Sequence, residues 1–266
     1  MQSVTEEERT GNGALTCLTR GYRADCALIT EPMNDTLVRA NVGVIWFQVE
    51  VRGRPTHVCE SSVGASAISA TYKIIHALES LEAEWNAQRG EHRYFEDATK
   101  PITINVGKIE GGDWASSVPA WCRIDVRAGI YPGVSIDKEK RAIETTLLDA
   151  AREDSYLSNH PPTVSYNGFT AEGYVLPEDT PAERCLRDAH SSIFDLDLPA
   201  GVCPAYLTGR VFALYDNTPA LVYGPICERL HGFDERVHLE SVLKVTKTVA
   251  LFMSRWCGLE STEKSL

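Results

Sequence analysis

Gly43-Val44-Ile45-Trp46-Phe47-Gln48-Val49-Glu50-Val51-Arg52 alternates without a break. Ile45, Phe47, Val49 and Val51 fall on one side, and Gln48, Glu50 and Arg52 on the other. Successive side chains of an extended backbone point to opposite faces, so this period of two is a half-buried strand. The segments downstream complete a module around it. Residues 64–87 carry Ala67, Ala70, Ile74, Leu78, Leu81 and Trp85 on one helical stripe. Ile102, Ile104 and Val106 mark a second strand. Cys122, Ile124 and Val126 mark a third, with Trp121, Arg123, Asp125 and Arg127 on its other face. Ser135 stands at a helix N-cap position, ahead of the stripe Ile136, Ile143, Leu147 and Ala150. Thr163–Tyr166 is a short fourth strand. The order β-α-β-β-α-β predicts a ferredoxin-like α+β unit over residues 41–168, an antiparallel sheet covered by two helices.

The flanking segments have a different character. Residues 13–20 read as a short helix stopped by Gly21, 26–30 as a buried strand, and Met33 to Asn41 as a polar connection. Thr180-Pro181-Ala182-Glu183 is a capping box with proline at the first helical position. Ala220-Leu221-Val222-Tyr223 reads as a short buried strand ended by Gly224-Pro225. Residues 237–256 form a last helix, with Leu239, Val242, Val249 and Met253 expected on its apolar side. Residues 1–40 and 169–266 therefore read as an α/β domain into which the α+β module is inserted.

Composition excludes some partners. The net charge is −11, and no run of basic residues offers a surface for nucleic acid or an anionic membrane. No apolar stretch approaches the roughly 18 residues of a membrane span. Met1-Gln2-Ser3-Val4-Thr5-Glu6 has neither the basic nor the apolar region of a signal peptide, so a cytoplasmic location is expected. The eight cysteines form no C-x-x-C pair, which points to reduced, mostly buried thiols rather than a zinc–cysteine centre.

Three short stretches carry candidate chemistry. Glu6-Glu7-Glu8 precedes the turn Gly11-Asn12-Gly13. On an extended segment two adjacent carboxylates face opposite ways, so one can hold a metal and the other act as a general base. A solvated charge run is the alternative. Asp25-Cys26-Ala27-Leu28-Ile29-Thr30-Glu31-Pro32 places Glu31 just past an apolar strand, where open α/β sheets keep their sites and where a carboxylate suits a hard or borderline cation. Capping or exposure in a turn is its other reading. Tyr223-Gly224-Pro225 leads to His231, followed by Asp234 and Glu235, either of which could orient the imidazole. An ordinary loop histidine is again the alternative.

Together, in this order, the three stretches resemble the M20 metallopeptidase and deacylase family, which includes acetylornithine deacetylase, succinyl-diaminopimelate desuccinylase, aminoacylase and glutamate carboxypeptidase. The inserted module is similar to that family's dimerisation (lid) domain. Its Gly53-Arg54-Pro55-Thr56-His57-Val58, Ile104-Asn105-Val106-Gly107-Lys108-Ile109-Glu110-Gly111-Gly112 and Ser117-Val118-Pro119 with Asp125-Val126-Arg127 carry the likeness. The resemblance implies an incomplete zinc-hydrolase catalytic domain of α/β class with an inserted ferredoxin-like lid. It implies two zinc ions per complete site, with cobalt or manganese as substitutes. Glu7 matches the general base, Glu8 a ligand of one metal, Glu31 a ligand of the other, and His231 a ligand of the metal that Glu8 holds. His57 matches a lid histidine that serves the partner's active site in a homodimer and stabilises an oxyanion. Arg127 and Asn105 match substrate-binding positions, Arg127 for a carboxylate. The implied substrate is an N-acyl amino acid or short peptide.

The chain departs from the family pattern in two places. The family's His-x-Asp and its metal-bridging Asp lie before the Glu-Glu pair, and neither occurs here; Thr208 stands where the Asp of a Thr-Asp-x-Arg segment is expected. The expectation is thus the C-terminal portion of a zinc amidohydrolase with incomplete metal occupancy. A non-catalytic remnant acting only as a dimerising module is the alternative, and a ferredoxin-like ligand-binding domain is a third reading.

Overall fold

In a computed structural model that describes residues 1–260, the alternating residues 43–52 form a central strand of an antiparallel sheet. The first half of the chain runs through helix α1 (Asn12–Thr19), strands β1 (Ala27–Ile29), β2 (Leu37–Asn41) and β3 (Gly43–Arg52), and helix α2 (Ala67–Ala87). Strands β4 (Ile104–Gly111) and β5 (Trp121–Ile130), helix α3 (Ile136–Arg152), and the short strands β6 (Thr163–Ser165), β7 (Thr170–Ala171) and β8 (Tyr174–Val175) follow. The last part comprises α4 (Pro181–Phe194), β9 (Ala200–Cys203), α5 (Gly209–Asp216), β10 (Ala220–Val222), β11 (Cys227–Glu228), β12 (Arg236–Val237) and α6 (Leu239–Cys257). The chain divides into two compact units. Among the described residues, one comprises 1–40, 174–203 and 207–260; the other comprises Asn41–Gly173 with Pro204–Tyr206.

The second unit has the sheet order β4-β5-β3-β6, with β7 also paired to β3. Its register runs from Gly43 opposite Ile130 to Arg52 opposite Trp121. That pairing sets Ile45, Phe47, Val49 and Val51 beside Ala128, Val126, Ile124 and Cys122, all at most 3% exposed. The α2 stripe is buried as expected, and Ser66 caps that helix by accepting from the Ser69 N–H at 3.2 Å. Each buried aliphatic chain contributes about 1.5–3 kcal/mol to this core. The opposite face of the sheet is polar. Gln48 donates to Asp125 at 2.7 Å, and Arg123 to Glu50 at 2.8 Å.

The first unit contains the parallel pair β1–β10, the sheet β8-β2-β9 and the antiparallel pair β11–β12. Leu37, Leu176, Leu186, Leu221, Tyr223 and Phe252 are central to its core. Here four expectations are corrected. Residues 37–41 are not a polar connection but strand β2, buried along its whole length. Arg39 and Asn41 hid it, because a cation inside a strand reads as a loop. Arg39 is nevertheless 5% exposed, donating to both oxygens of Glu183 at 2.5 and 3.0 Å and to the carbonyls of Leu176 and Pro177. Strand β1 is half-buried rather than buried.

The inner face of α6 is Ser241, Val245, Thr248 and Phe252, whereas Leu239 and Met253 are 78% and 56% exposed. Ser241 and Thr248 can face inward because their hydroxyls are satisfied, Thr248 by the Lys244 carbonyl at 3.0 Å. Of the cysteines, which are all free, only Cys122 and Cys203 are buried, so the expectation of mostly buried thiols fails. Among the described residues no helix is long and apolar enough to cross a membrane.

Candidate active site

Strands β1 and β10 run parallel with Ala27 opposite Ala220 and Ile29 opposite Val222, so both carboxyl ends open on the same side. The Tyr223 N–H donates to the Ile29 carbonyl at 3.0 Å and continues the pairing by one residue. Glu31 and Gly224 come next. A Cβ on Gly224 would lie 1.9 Å from the Glu31 carbonyl oxygen, so only glycine permits this approach. This is the place, outside the carboxyl ends of parallel strands, where α/β sheets gather functional groups.

The N-terminal carboxylates reach it by a turn, which corrects the expected extended segment. Glu6 has φ of 60°, and its carbonyl accepts from the N–H groups of Thr10 and Gly11 at 3.0 and 2.9 Å. Its carboxylate accepts from the Thr10 hydroxyl at 2.8 Å. Gly13, in the first turn of α1, lies so close to Thr5 that a Cβ would stand 2.3 Å from its carbonyl oxygen. Glu7 and Glu8 find different partners from this turn. Glu7 stands close enough to the carboxyl of Glu31 to influence its ionisation, and it accepts from the Thr208 hydroxyl at 2.8 Å. Glu8 stands 3.2 Å from His231 Nε2. Burial first, then the charges of Glu7 and Glu8 and the hydrogen bond to Glu7, push the pKa of Glu31 up to about 7. Negative charge gathered beside Glu31 favours a proton on it and, by the same attraction, a nearby cation.

His231 adopts φ of 60°, and its side chain and that of Glu8 are 74% and 77% exposed. Neither end of the pair is buried, so it contributes little to folding. Asp234 does not orient His231 as expected; it pairs with Arg229 at 2.8 Å. The carboxylates and the imidazole are donor types that zinc accepts. They form two pairs, Glu7 with Glu31 and Glu8 with His231, and among the described residues no three such donors surround one point. The donor types therefore fit a zinc-class cation. Thr208, 3% exposed beneath Glu7, belongs to the site. The sequence marked it only as a departure from a pattern.

In the other unit, Asn105 and Arg127 are cross-strand neighbours on β4 and β5. They line a cavity of about 370 Å³ together with Trp46, Gln48 and Asp125. His57 does not line it. It is exposed at the start of a short 3₁₀ turn, where its Nδ1 accepts from the Cys59 N–H at 3.3 Å. In the neutral ring this leaves the proton on Nε2, as a donor.

Comparison with known proteins shows what these features resemble. Residues 39–155 match the peptidase dimerisation domain of M20 enzymes. An N-formyl-4-amino-5-aminomethyl-2-methylpyrimidine deformylase of Halalkalibacterium halodurans is 27% identical, over 97% of this chain and 64% of the relative. An acetylornithine deacetylase of Myxococcus xanthus is also 27% identical, over 97% and 65%. The chain thus spans a little under two thirds of the curated relatives it matches. Among solved structures, aminopeptidase PepT of Bacillus cereus superposes with a TM-score of 0.69 at 16% identity, covering 96% of this chain and 63% of that one. The dipeptidase Dug1p of Saccharomyces cerevisiae gives 0.69 at 14%, covering 96% and 65%. With a peptidase dimerisation domain of the M20 type in the middle of the chain and hydrolase relatives matching along nearly all of it, the chain is similar to the M20 peptidases and deacylases.

Proposed function

We propose that the chain is the part of a zinc-dependent amidohydrolase that carries its general base, most of its metal ligands and its substrate-binding lid. It would act on N-acyl amino acids or short peptides. The observation that carries this reading is the pair of contacts past β1 and β10, Glu7 to Glu31 and Glu8 to His231. The names of the relatives support the reaction class, since a deformylase and a deacetylase both release an acyl group from an amine.

Glu8, Glu31 and His231 would hold zinc. Bound there, the metal supplies polarisation of the scissile carbonyl and a water of lowered pKa. Glu7 accepts the proton of the attacking water and returns it to the leaving amine. Thr208, hydrogen-bonded to Glu7 Oε1, fixes the direction in which the base points. Arg127 and Asn105 take the substrate carboxylate in the lid cavity. The dimerisation domain supports a homodimer in which His57 of one subunit offers its Nε2–H to the oxyanion formed in the other.

The test is a rate measurement on zinc-loaded protein with N-acetyl and N-formyl amino acids and dipeptides. Turnover is expected to fall by about 10²–10⁴ in Glu7→Gln with zinc content unchanged. Full turnover in that variant would refute the reading.

A further inference from the structure

The two segments that carry Glu31 and His231 are laced together by residues that take no part in the chemistry proposed above. Asn34 and Asp35, just after Glu31-Pro32, both lie in the left-handed region, with φ of 54° and 56°. Among residues with a Cβ, Asn and Asp tolerate that conformation best. It turns two successive N–H groups toward the segment that follows β10. The Asn34 N–H donates to the Pro225 carbonyl at 3.1 Å, and the Asp35 N–H to the Gly224 carbonyl at 2.9 Å.

The side chains bind the same segment in the reverse sense. Asn34 Oδ1 accepts from the Cys227 N–H at 3.1 Å. Asp35 Oδ1 accepts from the Ser241 hydroxyl at 2.5 Å, and that hydroxyl accepts from the Ile226 N–H at 2.9 Å. The Cys227 thiol lies 3.4 Å from the Pro32 carbonyl oxygen. Residues 224 to 227 are thus each tied to the turn after Glu31, directly or through Ser241. The strand end from which they depart is anchored as well. Tyr223 is fully buried, with its hydroxyl 2.9 Å from Nδ1 of the buried His190.

We propose that Asn34 and Asp35 are positioning residues. They clamp the turn after Glu31 onto residues 224–227 and so set where Glu31 and His231 stand relative to each other. The proposal rests on the reading of Glu31 and His231 as metal ligands. Two consecutive left-handed residues with side chains are retained only where their surroundings hold them, as here, beside the groups whose placement matters.

Asn34→Gly separates positioning from folding, because glycine keeps the left-handed backbone and loses only the acceptor for Cys227. Asn34→Asp keeps an acceptor in the same place. Backbone hydrogen exchange of residues 224–231 and titration with zinc chloride by calorimetry are measured on the intact protein, together with Tm. Asn34→Gly is expected to speed exchange in 224–231 and to weaken zinc binding about tenfold, with Tm within a few degrees of wild type, and Asn34→Asp to restore both. Ser241→Ala, which frees Asp35 and the Ile226 N–H, is expected to change exchange in the same direction. Exchange and zinc affinity within twofold of wild type in Asn34→Gly, or no rescue by Asn34→Asp, overturn the positioning role alone. A wild type that takes up no zinc overturns the ligand reading and this role with it.

Discussion

Glu183→Gln removes a charge from the inside of one unit and keeps the shape that holds it. Glu183 is 1% exposed. Its carboxylate accepts from Arg39 at 2.5 and 3.0 Å, from Arg187 at 2.7 Å and from the Asp179 N–H at 3.1 Å. Arg187 is 39% exposed, so water screens it and its share is small. Arg39 is buried and has no such recourse. Removing one partner of a buried ion pair costs about 3–5 kcal/mol, against about 0–1 for a surface pair. The variant is therefore expected to lose about 3–5 kcal/mol, while replacing both residues by leucine and methionine returns most of it. Because the chain has two units, the loss is best read by hydrogen exchange of β2 and α4 amides in increasing urea, not by one global signal. A loss below about 1 kcal/mol, or a double variant no better than the single one, refutes the argument.

The same pair sets a pH dependence. Burial by itself raises the Glu183 carboxyl, but hydrogen bonds and charge from Arg39 and Arg187 outweigh it and hold the pKa below the ordinary 4.5. The folded state thus favours the ionised form. Its contribution is complete above pH 4.5 and disappears as pH falls through the lower folded value, so the penalty of Glu183→Gln shrinks in acid.

The remaining predictions concern the site. His231→Ala breaks only an exposed pair and is expected to leave Tm nearly unchanged, while zinc uptake measured by calorimetry falls at least about tenfold. Gly224→Ala drives a methyl to within 1.9 Å of the Glu31 carbonyl, so the two segments must part. Urea melts should show a loss of about 2 kcal/mol or more, and zinc binding should fail with it. Arg127→Ala is expected to weaken binding of an N-acetyl amino acid about 10–100-fold, and Arg127→Lys should not restore a two-pronged contact.

The inserted module was the most legible part of the chain. Its strands alternate and its helices carry single apolar stripes, so local pattern and tertiary packing agree at Ile45, Val49, Ile74 and Leu147. The other unit was less legible where polar groups are buried with partners. Arg39 disguised strand β2 because its partner Glu183 lies 144 residues away. Ser241 and Thr248 misdirected the face of α6 because hydroxyls satisfied within the fold can point inward. Local hydrophobicity has no means of registering a distant hydrogen bond.

The order of the acidic, proline-following and histidine-bearing stretches was enough, from residues alone, to point to the M20 family and to single out Glu7, Glu8, Glu31 and His231. Their arrangement was a tertiary matter. A turn, not a pleat, sends Glu7 to Glu31 and Thr208, and Glu8 to His231. The backbone of Glu31 rests on Gly224 because the parallel pairing of β1 with β10 brings together segments nearly two hundred residues apart. Sequence records which donors exist, since residue type sets chemistry. Which donors meet is decided by long-range pairing and close backbone approach, and no local pattern encodes either.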